Sequence, residues 1–239
     1  MAKCPGSQFF NQPKPEAINC PRCGYEVEIW SDEIKTTCPG CKKTVMRATE
    51  ATCLDWCRYA KDCAGDQIYS VYIKNKTSML KQKLLKEMEA VFGDDTKRIN
   101  HAKNVMNFAE ELLKKEAGDW HIIMPACILH DVGIKEAERK SNAVKDEDQE
   151  RESAALARKI LLKHGGKMED IDQICEIIAN HHSPGKINTQ NFKILYDADG
   201  LVNFKDKANR LDRAGLEKAV DSSFLTGSGR EAARRIYLK

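Results

Sequence analysis

The pair His130-Asp131 closes the most apolar run of the chain, Ile122 to Leu129, and stands beside Gly133. A polar, chargeable pair in that setting needs partners, because an unpaired charge taken out of water is costly. A divalent cation is a natural partner. Imidazole nitrogen with carboxylate oxygen suits Mn, Fe, Co, Ni or Zn, and carboxylate with water suits Mg. Such a site needs further ligands, and two are available. His101 lies on the polar side of an amphipathic segment. Asp199 lies in Leu195-Tyr196-Asp197-Ala198-Asp199-Gly200-Leu201, where two carboxylates interrupt an apolar stretch. Taken singly, a histidine is usually a core or surface residue, and an aspartate often only caps a helix.

A second kind of chemistry is written in cysteine. Eight of the ten cysteines lie between Cys4 and Cys63; only Cys127 and Cys175 come later. Cys20-Pro21-Arg22-Cys23 and Cys38-Pro39-Gly40-Cys41 are two C-x2-C knuckles. Each wraps two thiolates round one face of a tetrahedral ion, so Cys20, Cys23, Cys38 and Cys41 make a closed four-thiolate site. This resembles a zinc ribbon, which implies a structural zinc. Cys4, Cys53, Cys57 and Cys63 form a second set of four. Cys53 and Cys57 share a helix face if residues 52–61 are helical. Zinc and a [4Fe–4S] cluster both accept four thiolates, with zinc the preferred reading. No apolar stretch in the first thirty residues reads as a signal peptide, and no run approaches the roughly 18 apolar residues of a membrane helix. The expected location is therefore cytoplasmic, where clustered cysteines bind metal rather than pair as disulfides. No contact with a membrane is expected.

Positioning these groups calls for two modules. Composition shifts near residue 66, from Cys, Pro and Gly with short β-like runs such as Tyr25 to Trp30, to an almost wholly helical pattern. The expected organisation is a cysteine-rich module over 1–66, a linker over 67–76, and a helical domain over 77–239. The fold class is mainly α, preceded by a small β-containing module. Thr77 is a plausible cap for a helix over Ser78 to Phe92. Further helices are expected from about Lys97 to Glu116, Trp120 to Asp131, Asp148 to His164, Met168 to His182, Phe192 to Phe204, Asn209 to Phe224 and Gly229 to Tyr237. The Trp120 to Asp131 segment is apolar on nearly all sides and so central, with Pro125 either kinking it or marking a later start.

The order His101, His130-Asp131, Asp199 resembles that of the HD superfamily of metal-dependent phosphohydrolases. The strings Ile128-Leu129-His130-Asp131-Val132-Gly133 and Asp197-Ala198-Asp199-Gly200-Leu201 carry the likeness, which spans about residues 95 to 235. It implies an all-helical domain, with the four residues as ligands of one divalent metal and Asp197 beside the last. The chain departs at Gly200, where an arginine is common in the family, and a substrate contact there is put in doubt. Sub-branches with two metals use a His pair like His181-His182 and one more His upstream. That position falls near Gln149 to Glu152, where this chain has none, so one metal is favoured. Glu150 or Glu152 is the residue that could substitute. His181 and His182 are then a second metal site or substrate contacts. Asp131 could hold the attacking water, and Lys135, four residues on, is a candidate to steady charge on phosphate.

The resulting expectation is an enzyme that hydrolyses a phosphate ester, its substrate small, phosphorylated and nucleotide-like. The alternative is a regulatory or nucleic-acid-binding protein whose cysteine module binds a partner while the helical domain senses a nucleotide. Basic and acidic residues nearly cancel over residues 1 to 66, and the whole chain carries only +3, which argues against nucleic acid. A redox sensor is a third reading, should the second cysteine set hold iron and sulfur.

Overall fold

The computed structural model describes residues 15–30, 33, 35–46, 61–62, 65–140 and 145–238, excepting the side chains of 46, 67, 68, 70, 71 and 73–75. The chain divides into two compact units, residues 1–76 and 77–239. Cys4, Cys53, Cys57 and Cys63 lie outside the described residues, as does nearly all of the helix expected over 52–61.

The first unit is built from two hairpins. β1 (Pro15–Asn19) pairs antiparallel with β2 (Glu26–Trp30), and β3 (Lys35–Thr37) with β4 (Thr44–Met46). In β2 the burial alternates. Val27 and Ile29 point inward while Glu26, Glu28 and Trp30 face solvent, the two-residue period of a half-buried strand. Each hairpin turns through a cysteine knuckle, and the two are built alike. The Cys20 amide donates to the Tyr25 carbonyl and the Gly24 amide to Cys20; the Cys38 amide donates to Lys43 and the Lys42 amide to Cys38. Gly24 (φ 73°) and Lys42 (φ 58°) occupy the left-handed region that each turn requires. Glycine meets that need without steric cost, whereas Lys42 bears it as a small strain.

The second unit is helical. Its elements are α1 (Asp66–Phe92, which begins in the first unit), α2 (Thr96–Leu112), α3 (Trp120–Leu129), α4 (Ile134–Lys140), α5 (Asp146–Lys163), α6 (Met168–Ile178), α7 (Gln190–Ala208), α8 (Arg213–Ser223) and α9 (Gly227–Tyr237). Residues 67–76, read from sequence as a linker with a cap at Thr77, instead belong to the continuous helix α1. Nothing in that stretch breaks a helix: it holds neither Gly nor Pro. The starts of α2, α3, α7, α8 and α9 are set by the side chains of Asp95, Asp119, Thr189, Asp212 and Thr226, each accepting a backbone N–H of the first turn.

α3 is the centre of this unit. Ile122 to Leu129 are all buried, and the helix packs against α2, α6 and α7. Pro125 sits inside α3 and does not end it. α2 also packs on α7, and α5 on α6. Burial of each large aliphatic side chain here contributes about 1.5–3 kcal/mol. Gly133, in the turn after α3, lies so close to α5 that a Cβ would stand 2.1 Å from the Ser153 amide nitrogen. Only glycine lets that turn approach, and the Gly133 amide donates to Ser153 Oγ at 3.0 Å. Among the described residues no helix is long and apolar enough to cross a membrane.

Candidate metal centre

His101 stands in the second turn of α2, His130 and Asp131 in the turn that closes α3, and Asp199 in the middle of α7. The packing of α2 and α7 round α3 brings the four together. His101 Nε2 lies 3.2 Å from His130 Nε2, 3.0 Å from Asp199 Oδ1 and 3.6 Å from Asp131 Oδ2. His130 Nε2 lies 3.3 Å from Asp131 Oδ2 and 3.7 Å from Asp199 Oδ1. Asn203, one turn beyond Asp199, donates its Nδ2 to Asp199 Oδ1 at 2.9 Å and holds that carboxylate in place.

The donor set fits a divalent cation, and the orientation of His130 tests this. Its Nδ1 donates to the Cys127 carbonyl at 2.8 Å. In the neutral ring that bond leaves the lone pair on Nε2, aimed at His101 and between two carboxylates. His101 Nε2 and the two carboxylates share that space with it, and a divalent cation would complete the set. Burial opposes an imidazolium at His130, yet Asp131 and Asp199 beside it raise its pKa to about 9. Burial works against ionisation of Asp131 as well, yet His130 and His181 hold it well below the ordinary carboxylate value. Asp199, also opposed by burial, is held down by His101 and His130. The cluster calls for positive charge.

His181 and His182 lie in the turn after α6 and are brought to the same centre. His181 Nε2 is 3.6 Å from Asp131 Oδ1. The ring of His181 stands edge-on to His130 at 5.2 Å and tilted against His182 at 3.9 Å between centroids. Glu150, in the second turn of α5, accepts the His182 backbone N–H at 2.7 Å. Gln149 beside it donates to Asp131 Oδ1 at 2.5 Å, a contact that sequence reasoning missed.

Two expectations change. Lys135, a candidate for steadying phosphate, donates its Nζ to the Phe92 carbonyl at 2.5 Å, where it caps the end of α1. α4 turns it to that helix end. Glu152, the other candidate to replace an upstream histidine, pairs with Lys140 at 2.7 Å. Asp197 is not a neighbour of the cluster in function. It is fully buried and accepts hydrogen bonds from Leu225 and Thr226. Gly200, where an arginine was considered, lies against Phe224, whose ring edge would be 3.3 Å from an added Cβ.

In the first unit the four knuckle cysteines converge. Cys20 Sγ is 3.7 Å from Cys41 Sγ, and Cys23 Sγ is 3.6 Å from Cys38 Sγ. All four donor atoms lie within 4.8 Å of one another, as a tetrahedral ion needs. Backbone amides of Arg22 and Cys23 stabilise the Cys20 thiolate and bring its pKa to about 6, against some desolvation. The arrangement beside short strands is consistent with a zinc-ribbon-like module.

Residues 98–203 match the family model of the HD domain. The helical unit of this chain therefore carries an HD domain, a domain typical of metal-dependent phosphohydrolases. The matched span begins just before His101 and ends just after Asp199, so it encloses the whole metal cluster. Neither a curated protein nor a solved structure gives a significant match.

Proposed function

We propose that the chain hydrolyses a small, nucleotide-like phosphate ester at the cluster of His101, His130, Asp131 and Asp199. The observation that supports it best is the convergence of His101 Nε2, His130 Nε2 and the carboxylates of Asp131 and Asp199 on one point, with His130 held there by the Cys127 carbonyl. A divalent cation bound there supplies Lewis acidity, which acidifies water and polarises a phosphoryl oxygen. The protein's own residues do the rest. His101 and His130 offer neutral nitrogen donors, Asn203 holds Asp199, and the Cys127 carbonyl holds His130.

Asp131, with one oxygen towards His130 and the other towards His181, holds the attacking water in place. The water oxygen bonds to phosphorus, the bond from phosphorus to the ester oxygen breaks, and the proton taken from water ends on the leaving alcohol.

The test uses full-length protein loaded in turn with Mn, Co, Ni, Zn and Mg, assayed on aryl phosphate mono- and diesters and on nucleotides. Hydrolysis that Asp131→Ala abolishes, with the helical circular dichroism intact, supports the reading. Full activity retained by that variant overturns it.

A further inference from the structure

Two bonds tie the turn after α3 to the first half of α5, and they run in opposite directions. The Gly133 amide donates to Ser153 Oγ at 3.0 Å, and the Gln149 side chain donates to Asp131 Oδ1 at 2.5 Å. Gln149 and Ser153 are four residues apart on α5, so they share one helix face. The approach of Gly133 leaves no room for a Cβ, which would stand 2.1 Å from the Ser153 nitrogen and 2.3 Å from the Glu152 carbonyl carbon. On another side α5 is held by Glu150, whose Oε1 accepts the His182 amide at 2.7 Å. The backbone that carries Gln149 is therefore pinned twice, and its amide is delivered to Asp131 by the register of packed elements.

Charge settles the polarity of that contact. An ionised carboxylate only accepts hydrogen bonds, so the Gln149 amide turns its nitrogen toward Asp131 and its oxygen away. The two oxygens of Asp131 then differ. Oδ2 faces His130 Nε2 at 3.3 Å and His101 Nε2 at 3.6 Å. Oδ1 is taken by Gln149, while His181 Nε2 stands 3.6 Å from it, beyond hydrogen-bond reach. Asp199 is treated otherwise. Asn203 donates to Asp199 Oδ1, the same oxygen that faces His101 at 3.0 Å, and so steadies that carboxylate without withdrawing an oxygen from the cluster.

We propose that Gln149 is a positioning residue that holds Asp131 to a single oxygen toward the cation of the four-residue cluster. With Oδ1 tied back to α5, Asp131 does not close on the cation with both oxygens. The position that Oδ1 would take stays open to water, and hydrolysis needs that water. The constraint on Asp131 stands on the geometry alone; its consequence for turnover rests on the phosphohydrolase reading.

The test reads water on the metal as well as turnover. Full-length protein, with zinc retained at its four-cysteine site, is stripped at the helical unit with a mild chelator and given sub-stoichiometric Mn2+. Relaxation of water protons across a range of fields counts the exchanging waters on each bound Mn2+, calorimetric titration gives the affinity, and thermal melts give the stability. Gln149→Met keeps the length and helix propensity of the side chain and removes the donor. It is expected to bind Mn2+ at least as tightly as wild type and to carry one water fewer per ion. Its kcat on aryl phosphates or nucleotides is expected to fall about tenfold or more. Gln149→Leu, also without a donor, should behave alike. A residue that only stabilised α5 would lower the melting temperature and weaken Mn2+ binding, and would leave the water count alone. An unchanged water count in either folded variant, or Mn2+ affinity that falls in step with stability, overturns the inference. Variants that lose a water, beside a wild type that hydrolyses no phosphate ester, keep this inference and sink the functional reading; an active wild type beside variants of unchanged hydration does the reverse.

Discussion

Asp197 and Asp199 stand two residues apart on α7, yet their removal should have opposite consequences. Asp197 is fully buried. Its Oδ1 accepts the Leu225 amide at 2.7 Å; its Oδ2 accepts the Thr226 amide at 2.7 Å and the Thr226 hydroxyl at 2.6 Å. The same hydroxyl oxygen accepts the Gly229 amide at 2.9 Å and so caps α9. The fit is close: a Cβ on Gly229 would stand 2.2 Å from Asp197 Oδ2. Burial raises the Asp197 pKa above the ordinary carboxylate value, against the pull of its donors.

Asp197→Ala strands three donors. Each buried donor left without a partner costs about 1–3 kcal/mol. Water relieves part of this at the half-buried Leu225, while loosening of the cap adds about 1 kcal/mol. The expected loss is about 4 kcal/mol, and at about 2–4 °C per kcal/mol for a domain of this size the melting temperature falls by about 10 °C. Asp199→Ala removes a carboxylate whose partners, His101 and Asn203, both reach water and can be solvated in its place. Its expected effect on the cation-free protein stays within about 1 kcal/mol, while affinity for the divalent cation falls at least a hundredfold. Thermal melts followed at 222 nm, with and without chelator, and calorimetric titration with Mn2+ measure both. If Asp197→Ala melts within 2 °C of wild type, or if the metal-free Asp199→Ala protein melts as low as Asp197→Ala, the two residues do not have the separate roles argued for them.

Lys135→Met should leave turnover unchanged and lower stability by about 1 kcal/mol, because the Phe92 carbonyl loses one of its two donors and keeps only the Asp95 amide; a large fall in kcat at equal stability would return Lys135 to the chemistry. Glu87 takes its hydrogen bonds from Lys163 and His164, which hold its carboxyl below the ordinary value of 4.5. A depressed folded pKa contributes stability that is present above the unfolded value and lost as pH falls through the folded one. Urea melts below about pH 4.5 should thus show a steeper acid loss in wild type than in Glu87→Gln, and parallel curves would remove the pair from the account. Cys38→Ser should unfold the hairpins, because closed four-cysteine sites contribute about 10 kcal/mol or more to folding. Amide exchange at Val27 and Ile29 reads this out, and protection equal to wild type would show that the strands stand without metal.

The sequence made the cluster legible because ligand types are rare and their order is informative. An adjacent His and Asp at the end of an apolar helix has few other uses, and the cysteine knuckles announce themselves by spacing alone. Other features were hidden for physical reasons. α4 is short and its residues, Ile134 to Lys140, are mostly charged, so no helix was expected there; its place is fixed by the approach of Gly133 to Ser153. The first turns of α1 lack a strong apolar stripe and read as a connector. Asp197 and Asp199 looked like a pair, but residues two apart on a helix point to different sides. Glu150 sits among Asp146, Glu147, Asp148 and Glu152, a run favoured by the helix dipole whatever else it does. Only tertiary packing distinguishes the one that is buried.

The two buried histidines show how local backbone rules prepare a metal centre before any metal arrives. A helix ends with carbonyls that lack intrahelical partners. α3 ends at Leu129, and His130 turns its Nδ1 back to the carbonyl of Cys127; α6 ends at Ile178, and His181 turns its Nδ1 back to the carbonyl of Ile178 itself. In both, the acceptor lies three residues before the histidine. Each bond satisfies a carbonyl at a helix end and at once fixes the tautomer, leaving Nε2 as the donor atom facing the shared carboxylate of Asp131. The position of each histidine is thus constrained twice, by the helix that it follows and by the Asp131 carboxylate that it faces. A histidine moved one residue along either turn would keep its chemistry, but it would lose the carbonyl that orients it.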